Sequence, residues 1–423
     1  MTEWISLAVF ILCYALFVVF SDRRSWVACG GSLALILLGV LGWREALLVR
    51  VNWNVMGLFF GTLILAELFM LSRVPAVMAE RLVDRAGTAR SAMLFLCALS
   101  GAISMFVENV AVVLLVAPVA LSLADKLRMN PVKLLIGIAI SSNLQGTATM
   151  IGDPPSMILA GYMQMGFFDF MVYHGRPGIF FAVQVGAVAS LAVLGYIFRE
   201  HKEAIELIPV EKARSWIPTI LLAALIAGLS VATVFDPEFS WFAGTYTLVI
   251  ALAGTAWYAR ARWGTVRELI RTLDWDTTFF LIGVFILVGA LSESGWLDKL
   301  STAISSGVGS SVLLAFISIV ALAVVISGFV DNVPFLLAMI PVVQKVADQM
   351  HAPVPPLIFG LLIGACLGGN LTPIGASANV VTLGILRKRS HHVSFSQFMG
   401  IGIPFTIAAV LAGSVFIWIV WAP

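Results

Sequence analysis

Apolar runs of about 20 residues, bounded by polar or Gly/Pro-rich stretches, recur along the whole chain. About 20 apolar residues suffice for a helix to cross the hydrocarbon core of a bilayer. Full crossings are predicted near 4–20, 26–42, 53–72, 131–172, 177–198, 213–233, 240–259, 276–294, 355–388 and 396–421. The runs at 131–172 and 355–388 are longer than one helix needs and are interrupted by Gly, Pro and polar residues, so they read as broken helices. Two further regions, 91–125 and 311–348, are too long for one helix and carry a central polar break. Each folds most simply as a re-entrant hairpin. The amphipathic stretches 76–87 and 296–306 precede the hairpins and read as interfacial connecting arms. Trp53 and Trp275 begin equivalent runs, where an interfacial anchor explains them best.

The pattern occurs twice. At a constant offset of 223 residues, Ile103–Asp125 and Ile326–Asp348 share 11 of 23 residues, and Glu108 falls on Asp331. Further on, Gly146–Gly152 falls on Gly369–Gly375 without a gap. Five crossings per half is an odd number, so the two copies have opposite orientation, with a site at the midplane between them. The expected architecture is an all-α integral membrane protein of two inverted repeats, 1–198 and 213–423, joined by a hydrophilic linker at 199–212. Scaffold and transport elements interleave in both halves.

Composition agrees with burial in lipid. Hydrophobic residues make up 60% of the 423 and charged residues 11%, against roughly a quarter charged in soluble domains. The net charge of +2 gives no reason to expect a nucleic-acid partner, because the charges sit in short clusters between apolar runs. Six basic clusters, beginning with Arg23-Arg24 and ending with Arg387-Lys388-Arg389, fall on one side if both termini lie outside. Arg44 and Arg50 are contrary, partly offset by Glu45. Cys13, Cys29, Cys97 and Cys366 are far apart in apolar segments and read as buried free thiols. Asp298-Lys299 reads as an exposed pair. No metal-ligand spacing, Walker loop or nucleophile–base pair occurs, so nothing points to a cofactor or an enzyme.

The chemistry gathers at the repeated segments. A carboxylate at membrane depth costs about 2.5–3.5 kcal/mol on insertion scales, so Glu108 and Asp331 must face protein, water or an ion. They either cap the following helices or meet at the midplane to titrate or hold a cation. Two close carboxylates raise at least one pKa, which suits proton coupling. Asn109 and Asn332 either cap their own turns or bind an ion, sodium included, or a polar solute. Unwound backbone at membrane depth survives only when buried in protein or lining a cavity. Gly146, Thr147, Thr149, Asp153, Ser156, Asn370, Thr372, Ser377 and Asn379 are therefore candidate substrate ligands. Half-helices starting near Pro154 and Ala376 would aim partial positive charge at the site.

The segments ENVAVVLLVAPV, GTATMIGDPPSMI, FVDNVPFLLAMIPV and GGNLTPIGASANVV resemble the ion transporter superfamily. Within it they are most similar to the branch of arsenite-efflux permeases (ArsB), NhaD-type sodium/proton antiporters and the melanosomal P protein. The resemblance covers nearly the whole chain. It implies hairpins and broken helices carried past a scaffold by an elevator-like motion, usually in a homodimer. It also implies a multi-pass protein of a bacterial inner or plasma membrane, with a partner ATPase as an option. The citrate and dicarboxylate branch typically carries Ser-Asn-Thr at the hairpin tips, where this chain has Glu108-Asn109-Val110 and Asp331-Asn332-Val333. The branch named above usually has Asp at the first tip, so Glu108 is one methylene longer. The expected function is proton-coupled efflux of arsenite or antimonite. Sodium/proton exchange is the alternative, and organic-anion symport the next. A channel or membrane scaffold is the reading from a different class, and the inverted broken repeats favour a carrier over it.

Overall fold

The computed structural model describes residues 2–20, 23–204 and 211–422. The first half runs through helices Thr2–Val19, Arg24–Leu37 and Trp53–Leu71, then an arm, Val74–Asp84. The paired helices Ala89–Ser104 and Asn109–Leu127 follow, then Val132–Gly146 and Pro154–Met163, and the half closes on Ile179–Ile197. The second half repeats this order with Ile217–Ser230, Phe242–Arg260, Trp275–Glu293 and the arm Trp296–Val308. Its paired helices are Val312–Ser327 and Asn332–Gln349, its broken helix Val354–Gly368 and Ser377–Lys388, and its last helix Phe395–Trp421. Seven helices among the described residues are long and apolar enough to cross a membrane. Asn109–Leu127 is one of them, so length alone does not distinguish a hairpin arm from a crossing.

Helices from opposite halves lie against one another. Trp53–Leu71 packs on Phe242–Arg260 where Gly57 faces Gly244. Arg24–Leu37 packs on Trp275–Glu293, with Gly283 against Ala28 and the Ser32 hydroxyl donating to Gly283 O at 2.9 Å. Ile179–Ile197 packs along Phe395–Trp421. Large apolar side chains such as Ile11, Val188, Leu411 and Ile419 remain exposed on the outer faces, as expected where lipid replaces water.

Both helix pairs leave the helical path for four residues at their tips, Met105–Glu108 and Gly328–Asp331. The tip carboxylates restart the chain. Glu108 accepts from the backbone N–H of Val110 at 3.0 Å and Ala111 at 3.2 Å, and Asp331 from Val333 at 3.0 Å. Each tip is tied to the adjacent broken helix in the same way. The Thr149 hydroxyl donates to Met105 O, and the Thr372 hydroxyl donates to Gly328 O. Backbones touch there: a methyl group at Gly152 would lie 2.5 Å from Gly146 O and 2.7 Å from Ser104 O. At Gly375 it would lie 2.6 Å from Gly369 O and 2.9 Å from Gly328 O.

Several expectations change. The run at 131–172 ends as a helix at Met163, because Gln164 takes a left-handed conformation and Asp169 accepts from Gly166 N at 2.7 Å. A short turn, Phe167–Phe170, and two-residue strands at Val172–Tyr173 and Arg176–Pro177 fill the rest. Asp298 and Lys299 do not pair with each other: Asp298 meets Lys345, and Lys299 meets Glu3 at 2.9 Å. Arg50 is held by Glu45 and by Glu293 at 2.8 Å. Cys29 is only half-buried, unlike Cys13, Cys97 and Cys366, and all four thiols are free. Of the linker expected at 199–212, residues 205–210 lie outside the described ones.

Gly152→Ala and Gly375→Ala should each lower the thermal midpoint of detergent-purified protein, at an overpacking cost of about 1–3 kcal/mol. Gly384→Ala, with open space around its Cα, should leave the midpoint unchanged or raise it. Equal midpoints for all three variants would contradict the backbone contact.

Candidate functional site

The two tips and the two broken helices meet around a cavity of about 50 Å³. Glu108, Asn109, Asp153, Asp331, Asn332 and Ser377 line it, all expected from the sequence. Four helices begin here, at Asn109, Pro154, Asn332 and Ser377. Their N-termini contribute partial positive charge, which the carboxylates of Glu108, Asp153 and Asp331 balance. Asp153 precedes Pro154 without capping that helix; its Oδ2 instead accepts from Asn109 Nδ2 at 3.2 Å. Asn109 Oδ1 in turn accepts from the Ser104 hydroxyl at 2.5 Å.

The other expected residues build the walls. Thr149 and Thr372 hold the tip carbonyls, Ser156 lies 3.4 Å from Thr147 O, and Thr147 lies 3.5 Å from Asn143 O. Gly146 leaves room for the Asn109 amide, whose Oδ1 would be 2.5 Å from a methyl group there. Asn370 and Asn379 are buried behind the cavity. The Asn379 amide donates to Gly369 O at 3.0 Å and Thr372 O at 3.1 Å, and the Asn370 amide donates to Ile140 O at 3.2 Å.

Sequence reasoning missed two groups that complete the site. Asn143, 3% exposed, joins the halves: its amide donates to Asn370 Oδ1 at 2.8 Å and Asn379 Oδ1 at 3.1 Å. Because those two amides are committed to carbonyls, Asn143 must point its nitrogen at them. Its own Oδ1 is left buried and without a partner, on a residue that lines the cavity. The repeat gave no signal for Asn143, because its counterpart at the 223-residue offset is Cys366.

The second group is Arg24 with the acids before and inside the Trp275 helix. Arg24 was expected, with Arg23, in one of the basic clusters on the cytoplasmic side. Instead its guanidinium lies against the ring of Phe280 at 4.9 Å and reaches into the cavity. It pairs with Asp331, with Asp276 at 3.3 Å, and donates to the Thr277 hydroxyl at 2.8 Å and the Ser377 hydroxyl at 3.3 Å. Asp274 caps Thr277 N at 2.9 Å. A wider chamber of about 360 Å³ adjoins the cavity and shares Arg24, Phe280, Asp331 and Ser377 with it, adding Asp274 and Asp276. None of the four cysteines lines either space. Among the described residues no group of three or more His, Cys, Asp or Glu side chains is placed to hold a metal ion.

Residues 14–364 and, overlapping them, 248–422 match the citrate transporter family, CitMHS. The uncharacterized transporter Rv2684 of Mycobacterium tuberculosis is 30% identical over 430 residues, covering 98% of each chain. The human P protein is 27% identical over 491 residues, covering 95% of this chain and 58% of its own length. The crystal structure of the YdaH transporter of Alcanivorax borkumensis shares the fold with a TM-score of 0.61 at 13% identity, covering 99% of this chain and 98% of that one. MtrF of Neisseria gonorrhoeae, from a class of antimetabolite efflux pumps, has a TM-score of 0.57 at 11% identity, covering 92% and 85%. The matched residues, the full-length relatives and the shared fold lead to one conclusion: the chain belongs to the citrate transporter (CitMHS) family of the ion transporter superfamily and is a multi-pass transporter of the cell membrane.

Proposed function

We propose that this chain is a proton-coupled carrier that exports a small hydroxylated metalloid, arsenite or antimonite. The size and lining of the cavity carry the reading. About 50 Å³ is space for a few water molecules, which suits a solute of that size. The lining offers oxygen acceptors, among them the unpartnered Asn143 Oδ1. Arsenite near neutral pH is mostly a neutral trihydroxide, and its three O–H groups are donors. Glu108 and Asp331 are the proton carriers in this reading, and Asn109, Asn332, Asp153 and Ser377 the polar contacts. The two repeats would lie inverted across the membrane, and the tips with their broken helices would form the moving unit, in a homodimer and with a partner ATPase as an option.

Sodium/proton exchange is the second reading. The excess of acid favours it: Glu108, Asp153 and Asp331 share the cavity with one cation, Arg24. Citrate transport, which the family's name suggests, fits less well. A tricarboxylate would meet three carboxylates at close range, and like charges repel strongly where water is scarce.

The test is purified protein in liposomes holding a pH-sensitive dye, with a pH gradient imposed and arsenite, sodium or citrate added separately. Proton movement with arsenite alone is the expected result. Movement with sodium alone selects the second reading, and movement with citrate alone overturns both. Glu108→Gln and Asp331→Asn should each reduce coupled flux at least about tenfold, the equivalent of about 1.4 kcal/mol, while eluting as folded protein. Wild-type, pH-dependent flux in both would end the proton-carrier assignment. Asn143→Ala should weaken apparent solute affinity and also lower the thermal midpoint, because Asn370 Oδ1 and Asn379 Oδ1 lose their donor; a buried unpaired group costs about 1–3 kcal/mol. A cysteine-free variant should still move arsenite, whereas strong loss would point to a thiol site.

A further inference from the structure

Arg24 occupies a position that helix electrostatics disfavour. It is in the first turn of Arg24–Leu37, where the partial charge of the helix is positive. Its side chain is nonetheless only 17% exposed, and Asp331 opposite it 23%. Something must hold the cation there, and the contacts fall into two sets. Asp276 and Thr277 belong to Trp275–Glu293. That helix is fixed to Arg24's own helix by the Gly283–Ala28 contact and the Ser32 hydroxyl. Asp331 and Ser377 belong to the second tip and second broken helix, which the Thr372 bond fastens together. Arg24 is thus seated on one body and holds the acid of another.

The other repeat indicates that this charge is not needed for packing. Trp53 and Trp275 start matching helices, and each indole donates to a backbone carbonyl five or six residues earlier, at 2.7 and 2.8 Å. Asn52 and Asn54 stand where the second repeat has Asp274 and Asp276. Asn52 caps Val55 N, as Asp274 caps Thr277 N. Asn54 ties down the start of Phe242–Arg260 through Gly244 N at 2.7 Å, just as Asp276 accepts from the Ser25 hydroxyl at the start of Arg24–Leu37. A neutral side chain performs the structural task in one repeat, and in the other an acid holds an arginine.

We propose that Arg24 is a resident counter-cation and latch: it occupies Asp331 when no cargo is bound, and a proton or cargo cation releases it by competing for the same carboxylate. The inference deepens the proton-coupled reading above and rests on it for the identity of the competitor. With Asp331 neutralised, the tie from the Arg24/Trp275 helix pair to the second tip is lost, while Arg24 keeps Asp276 and Thr277. The tip unit is then free to move relative to that pair. With Asp331 ionised and empty, the latch re-forms and the unloaded carrier is held. Besides Arg24, the groups around Asp331 are Glu108 on the first tip, Asp153 on the first broken helix, Asp274 and Asp276 on the facing helix, and the hydroxyl of Tyr14 on the first helix. Arg24 is the cation among them, so its removal leaves Asp331 facing acids and takes away the tie to the helix pair.

The experiment uses full-length protein in nanodiscs with spin labels on Trp275–Glu293 and on Asn332–Gln349. Distances between the labels are read by pulsed electron paramagnetic resonance across a pH series without cargo. In wild type, acidification should populate a second distance. Arg24→Gln removes the other partner of the latch and should show the second distance even at the alkaline end of the series, where the wild type does not. Arg24→Lys should stay with the wild type, and Asp331→Asn should show the second distance at every pH. Liposomes with Arg24→Gln should also leak protons without cargo at several times the wild-type rate. A wild-type pH response in Arg24→Gln, or a single distance at every pH in wild type and variants alike, would overturn the latch. If the distances respond as described but wild-type liposomes move no protons with arsenite or sodium, the latch stands and the cargo assignment falls.

Discussion

Backbone polarity at membrane depth is the constraint on which this structure depends. Two helices unwind in the middle of an apolar protein, and every N–H and C=O released there needs a partner that lipid cannot supply. The solution is short-range and duplicated. Threonine hydroxyls take the tip carbonyls, tip carboxylates take the N–H groups of the next helix, and the Asn379 amide takes two carbonyls of its own broken segment. Gly152 and Gly375 are required because the carbonyls being satisfied lie where a side chain would begin. The cavity is the space left once these demands are met, which is why most of the side chains around it are polar.

The duplication then departs from symmetry where chemistry is concerned. The structural bonds recur at the 223-residue offset: Thr149 matches Thr372 on the tip carbonyls, and Ser104 and Ser327 bond to the aligned residues Ser142 and Ala365. The groups specific to one half do not. Asn143, Asp153, Arg24, Asp274 and Asp276 are matched by Cys366, Ala376 and, at the helix starts, neutral residues. A repeated frame thus carries an asymmetric set of charges, with acid on both tips but the buried arginine at the second.

Much of this was legible from the sequence, because hydrophobic run length and internal repetition report directly on burial and backbone geometry. The breaks at Gly146–Asp153 and Gly369–Ala376, the tips at Glu108 and Asp331, and the arms before them all stand where the pattern put them. The extent of the first broken helix was over-read, since Phe167–Phe170 is as apolar as a span yet turns on the Asp169 cap. Arg24 was misread for a different reason. A basic residue between apolar runs looks the same whether it faces water or a buried acid 307 residues later in the chain. Asp274 and Asp276 flank Trp275, whose aromatic ring suggested only an anchor, and Asn143 is one polar residue in an apolar helix whose counterpart is a cysteine. Residues that act through contacts between the halves leave no local pattern, and those are the ones that sequence periodicity passed over.

The paired threonine bonds have a mechanical consequence. Each tip is fastened at its carbonyl to the segment behind it, and Ser104 and Ser327 add a second fastening one residue earlier, Ser104 accepting from the Ser142 hydroxyl and Ser327 donating to Ala365 O. Lifting a tip as a separate flap would strand several buried hydroxyls and carbonyls at once, at about 1–3 kcal/mol each. The tip therefore has no cheap hinge of its own. Under the proposed transport cycle, a solute held there would leave with the movement of the whole stitched unit, carried by a body rather than uncovered by a lid.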